Sequence, residues 1–117
     1  MTDHLAIESV TDEGILVMSV RGDLDLYSAP ELRARLLAAI DDGADAVILD
    51  LRTTTFMDST ALGVIVAAMK ALRAQDGRLV LVNESRSIAK TLAITGLDDL
   101  LAVEDTLAAA LVAARGS

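Results

Sequence analysis

Asp58, Ser59 and Thr60 stand together where a short apolar run ends and a helical pattern begins. Val47, Ile48, Leu49, Asp50 and Leu51 have the β-branched, mostly apolar character of a buried strand. After a polar break from Arg52 to Thr55 and the pair Phe56-Met57, the period changes. Leu62, Ile65, Val66, Met69 and Leu72 then recur at helical spacing. A hydroxyl is thereby set at the mouth of a sheet, beside the positive end of a helix. Two chemistries suit that placement. Asp58 or Ser59 can cap the helix, since Asp, Ser and Thr are favoured N-cap residues. Alternatively, Ser59 is a side chain that another protein modifies or docks on.

The composition excludes several other chemistries. The chain has no cysteine, so disulfides, thiolate metal sites and cysteine nucleophiles are out. Its one histidine, His4, lies near the start, so a His-based triad has poor material. Gly63 is the only glycine near the central turn, which leaves neither a phosphate-cradling loop nor a dinucleotide fingerprint. Ser59 has no G-x-S-x-G elbow and no usual base. The carboxylate pairs Asp23/Asp25, Asp41/Asp42 and Asp98/Asp99 lack a pattern that would separate their environments for acid–base work. No enzyme, metal or cofactor is expected.

With a net charge of −8 and only Lys70 and Lys90 as lysines, the chain is a poor nucleic-acid binder. No apolar run is long enough for a membrane span, and the N-terminal residues lack a basic-then-apolar leader, so a cytoplasmic location without membrane contact is expected. At 117 residues, 53% of them hydrophobic, one domain over 1–117 is predicted. One Phe, one Tyr and no Trp make its core aliphatic.

The elements that position Ser59 follow in order. Leu5 to Val10 and Ile15 to Val20 flank the polar turn Thr11 to Gly14, a hairpin over about 5–20. Arg21 to Leu26 is read as leaving the sheet. Ser28 and Glu31 have capping-box spacing, Tyr27 and Leu32 can form a hydrophobic staple, and Pro30 suits the first turn. Leu32, Leu36 and Ile40 give that helix its buried stripe, and Gly43 supplies a left-handed stop. The junction and central helix take up about 55–74. Asp76-Gly77 marks a turn before the buried strand Arg78 to Val82. Asn83 to Ser85 can cap a short helix carrying Ile88 and Leu92, closed by Gly96 and Leu97. Leu100 to Val103 is a candidate last strand. Glu104 or Asp105 then opens a terminal helix over about 105–114. The order β-β-α-β-α-β-α-(β)-α predicts an α/β fold with a mixed sheet of four to five strands and about four helices.

Opposite the buried stripe of the central helix lie Thr60, Val64, Ala67, Ala71 and Ala74, small or apolar where a surface helix usually carries charge. Either a neighbouring helix covers them, for which the one carrying Ile88 is a candidate, or the first turn is a docking surface.

DLRTTTFMDSTALGVIVAAMKAL resembles the STAS domain of bacterial anti-sigma factor antagonists, whose phosphoacceptor lies in an Asp-Ser-Ser/Thr-Gly signature after a buried strand. Asp58, Ser59 and Thr60 match, Ala61 stands where glycine is common, and Leu62 and Gly63 continue the match. Gly22 to Asp25 resembles the Gly-acid-Leu-Asp segment of the same family. The resemblance runs from about Ile15 to Leu111. It implies phosphorylation at Ser59, and together with the docking reading of the first helical turn it gives Asp25, Asp58, Ser59, Thr60, Ala61 and Val64 as the expected partner contacts. Asp25 and Ser59 both follow strand ends, so they are expected either to meet or to leave Asp25 as a solvated loop carboxylate. The implied partners are an anti-sigma factor of the GHKL serine-kinase type, which binds the unphosphorylated form, and a phosphatase that restores it. Two alternatives share the fold: an unphosphorylated STAS subunit of a lipid transporter or larger assembly, and a small-molecule or nucleotide-binding module.

Overall fold

The computed structural model describes residues 5–116. Five strands form one sheet in chain order: β1 (Leu5–Asp12), β2 (Ile15–Leu24), β3 (Ala46–Met57), β4 (Arg78–Val82) and β5 (Ala102–Glu104). β1 is antiparallel to β2, and every later pairing is parallel. The helices are α1 (Ala29–Asp41), α2 (Ser59–Ala74), α3 (Arg86–Ile94) and α4 (Leu107–Arg115). The predicted order and mixed sheet are the observed ones, with the fifth strand present. His4 lies outside the described residues.

Alternation along the strands sorts the aliphatic side chains into two layers. Met18, Val20, Val47, Leu49, Leu79 and Leu81 pack with the buried faces of α1, α2 and α3. Ile15, Val17, Ile48, Val80 and Val82 pack against Ala110 and Ala114 of α4. Ile48 and Leu49 are both fully buried, which explains the unbroken apolar run at the start of β3. Each such side chain contributes roughly 1.5–3 kcal/mol by leaving water. Among the described residues no helix is long and apolar enough to cross a membrane.

Several local expectations are corrected. Thr11 and Asp12 belong to β1, and the hairpin turns on Glu13 and Gly14 alone, both at positive φ. Arg21 to Leu24 does not leave the sheet, nor does Arg52 to Thr55 break it: β2 and β3 stay paired to Leu24 opposite Met57. The pairing steps from Ser19 opposite Asp50 to Arg21 opposite Thr53, and from Gly22 opposite Thr54 to Asp23 opposite Phe56. Each step puts one extra residue in β3, and such bulges interrupt the two-residue period. The Thr53 and Thr54 hydroxyls both donate to the Val20 carbonyl, at 2.9 and 3.0 Å, and hold the first bulge.

Ser28 precedes α1 but makes no side-chain cap. Its hydroxyl oxygen instead accepts the Asp25 N–H at 2.9 Å while its proton goes to the Asp23 carbonyl at 2.6 Å, and the Asp25 carboxylate accepts the backbone N–H groups of Tyr27 and Ser28. Tyr27 is 85% exposed, so the predicted staple to Leu32 does not form. The last strand begins at Ala102, after a 3-10 turn at Leu97–Asp99. Thr106, rather than Glu104 or Asp105, caps α4 by accepting the Ala109 N–H.

Asp50 is the buried charge of the sheet. Arg52 holds it with two side-chain bonds of 2.8 and 3.0 Å and a backbone N–H at 3.1 Å. Burial alone would raise the Asp50 carboxyl, but the Arg52 hydrogen bonds and charge outweigh it and hold it below its ordinary value. A carboxylate lowered in the folded state stabilises above its unfolded pKa, and that contribution is lost as pH falls through the folded one. Arg52→Ala should therefore cost about 1–3 kcal/mol at neutral pH, by leaving a mostly buried carboxylate unpaired. In urea titrations the gap to the parent should close as pH falls from the ordinary carboxylate value to below it. A gap that stayed constant through acid would remove the ion pair as its cause.

Candidate functional site

β2 and β3 end side by side, and the site is built on those two ends. The Asp58 backbone N–H donates to the Leu24 carbonyl at 3.0 Å, one residue past the last paired rung. That bond places Asp58 next to the start of the β2–α1 connection, where Asp25 follows Leu24. The structure thus brings the Asp25 and Asp58 segments together at one end of the sheet. Asp25 is not a merely solvated carboxylate, because its Oδ1 accepts the backbone N–H groups of Tyr27 and Ser28.

Asp58 has extended backbone geometry and caps α2, its Oδ1 accepting the Ala61 N–H at 3.1 Å. The capping role predicted for either Asp58 or Ser59 therefore falls to Asp58. Ser59 is the first residue of α2 and exposed, and its hydroxyl makes no hydrogen bond to another described residue. A hydroxyl without a structural bond, at the positive end of a sixteen-residue helix, is open to a transferase and tolerant of added negative charge.

The other predicted contact residues divide by burial. Thr60 is exposed and Val64 half-buried, while Ala61 is fully buried. Ala61 presents no side chain to a partner, and its N–H is already bonded to Asp58. An alanine fits inside where the family pattern commonly has glycine. The helix lying beside the small-residue face is α1, not the one carrying Ile88. Between α1 and α2 runs a mainly apolar groove of about 290 Å³ that reaches Thr60. Thr60, Ala67 and Ala74 remain exposed, and Val64 and Ala71 are half covered.

One group was missed by pattern reading. Tyr27 and Phe56, the only aromatic residues of the chain, are 85% and 51% exposed, and Leu26 is 59% exposed. All three belong to the segments that end beside Asp58. The signal was present in the composition, since a core that is otherwise aliphatic leaves its two aromatics outside it. Helical and strand periods do not reveal it, because Leu26 and Tyr27 lie in a connection and Phe56 in a bulged strand.

Among the described residues no group of acidic or histidine side chains could hold a metal ion. A second hollow, of about 660 Å³, opens on the sheet beyond Asp50 and Arg52.

Three comparisons bear on this arrangement. The family model described as STAS domain matches residues 6–110. An anti-sigma-B factor antagonist of Staphylococcus epidermidis is 36% identical over 102 residues, covering 87% of this chain and 94% of the relative. A crystal structure of an anti-sigma factor antagonist from Mycobacterium paratuberculosis superposes with a TM-score of 0.88 at 28% identity, covering 95% of this chain and 94% of the other. The Bacillus cell fate determinant SpoIIAA in its phosphorylated form superposes with a TM-score of 0.70 at 28% identity, covering 92% and 96%. The sheet and its helices are thus those of a known group, and the chain belongs to the STAS-domain family of anti-sigma factor antagonists.

Proposed function

We propose that this chain works as a partner switch with Ser59 as its phosphoacceptor. Unmodified, it binds a cytoplasmic anti-sigma factor of the GHKL serine-kinase type and so frees a sigma factor. The anti-sigma factor transfers the γ-phosphoryl group of ATP to the Ser59 oxygen, the serine proton is lost, ADP leaves, and the complex dissociates. A separate phosphatase hydrolyses the phosphoserine. The observation that carries this reading is the Ser59 hydroxyl itself, exposed and without a bond to another described residue, one position after the Asp58 cap.

The physics of release follows from charge. Phosphate adds about −1.5 to −2 charges at neutral pH, beside Asp58 and in a chain already at −8. The α2 terminus offsets part of that charge within the folded chain, so the domain need not unfold. On docking, the phosphate loses water, and burying an unpaired charge costs several kcal/mol. Asp25, Asp58, Thr60 and Val64 surround the switch on this reading, with Leu26, Tyr27 and Phe56 as further contact area. Large exposed aromatic residues commonly supply most of an interface's binding energy. The chain itself is a regulator without ATPase or phosphatase activity.

Intact mass after incubation with ATP and each candidate anti-sigma kinase tests the switch. Ser59→Ala should bind its anti-sigma factor constitutively and take no phosphate. Ser59→Asp should stay folded and bind at least a hundredfold more weakly, about 2.7 kcal/mol. Phosphate mapped to the neighbouring Thr60, or unchanged affinity for both Ser59→Asp and the phosphoprotein, would remove Ser59 from the role. The aromatic pair gives an independent measurement. Tyr27→Ala and Phe56→Ala should each weaken binding about tenfold, while the urea midpoint of Tyr27→Ala stays near the parent because that side chain is 85% exposed. Parent-like affinity in both variants would take these rings out of the interface.

A further inference from the structure

Gly63 has no reason inside the molecule to be glycine. It is the fifth residue of α2, in the body of the helix, where glycine is less stable than alanine. Its φ is not in the left-handed region, and a Cβ built on it would meet nothing within 4 Å. The same position opens onto the groove between α1 and α2, whose wall also includes Leu37, Thr60, Val64 and Ala67. At about 290 Å³ the groove lies just under the range of roughly 300–1,000 Å³ usual for small-molecule pockets, while one bulky side chain can fill it. Arg33 stands at its rim as the only charged lining residue. Among the described residues Arg33 has no ion pair or hydrogen bond. Thr60, at the end of the groove, is the residue next to Ser59 in the first turn of α2.

We propose that this groove receives a helix of the anti-sigma partner. One bulky apolar side chain of that helix enters between α1 and α2, its backbone passes close over Gly63, and a carboxylate on it reaches Arg33. The proposal rests on the Ser59 reading for the partner's identity and adds the part of the surface that phosphorylation does not touch. Small residues at a crossing point let two helix axes approach, which is the use a helix-interior glycine facing open space can serve. A lone free cation on an apolar rim in an acidic chain fits an acidic counterpart, and helix-in-groove recognition uses this pairing of apolar anchor and flanking charge.

The test uses the full chain and the purified anti-sigma factor whose affinity falls on Ser59→Asp. Gly63→Ala should raise the urea midpoint, because it removes a helix-interior glycine, and yet weaken binding severalfold. Gly63→Leu should weaken binding about tenfold or more with an unchanged circular-dichroism spectrum. Arg33→Glu should weaken binding, with a loss that shrinks at high salt. Should Gly63→Leu fail to fold, Gly63→Ala and Arg33→Glu decide. Full affinity in the Gly63 variants, alongside lost affinity in Ser59→Asp, would overturn the groove and leave the switch standing. Altered self-association in sedimentation, with partner affinity unchanged, would assign the groove to a second copy and overturn the proposal. If no anti-sigma factor distinguishes Ser59 from Ser59→Asp, the switch and the groove fall together.

Discussion

The bond between the Asp58 amide and the Leu24 carbonyl ties the end of β3 to the end of β2, and the site depends on it. It closes the last rung of the β2–β3 ladder, Leu24 opposite Met57, and the chain reaches Asp58 still in an extended conformation. An extended residue is what an N-cap must be, and the Asp58 carboxylate is thereby aimed at the Ala61 amide. With the amide and one carboxylate oxygen of Asp58 committed, Ser59 is the first residue free of structural duty.

The two bulges in β3 serve the same end. β3 runs from a doubly buried core strand to a rim where Phe56 and Thr55 meet solvent. A regular strand would carry the core's alternation straight to its tip. Two extra residues relative to β2 let it change character while its backbone stays paired, with threonine hydroxyls taking the Val20 carbonyl. The bidentate Arg52–Asp50 pair sits at the first of these steps. It keeps a mostly buried carboxylate satisfied.

What was legible in the sequence depended on whether one period governed a segment. The core of β3, the strand Arg78–Val82, the stripes of α1 and α2 and the caps at Asp58 and Ser85 each obey a local rule, and the structure agrees with them. The rims obeyed two rules at once. Arg52 to Thr55 reads as a break because bulges cancel alternation, and Arg21 to Leu24 reads as a loop because Gly22 at positive φ and two carboxylates look like turn chemistry. The false capping box at Ser28 has a similar origin. The spacing to Glu31 is right, but Ser28 is helical rather than extended, its hydroxyl oxygen accepts the Asp25 N–H, and the Glu31 N–H goes to the Ser28 carbonyl. The motif Asp58-Ser59-Thr60 located the candidate site, whereas its aromatic border could be found only by noting which side chains the core leaves out.

That border has a consequence for how the protein can be watched. With no tryptophan and a single tyrosine, nearly all near-ultraviolet emission of this chain originates from Tyr27, a ring that is already in water when the protein is folded. Intrinsic fluorescence is therefore almost silent about the aliphatic core and can pass through unfolding with little change. The same signal comes from the edge of the Ser59 surface, so a tryptophan-free partner settling there would report itself through the native residue, with no label attached.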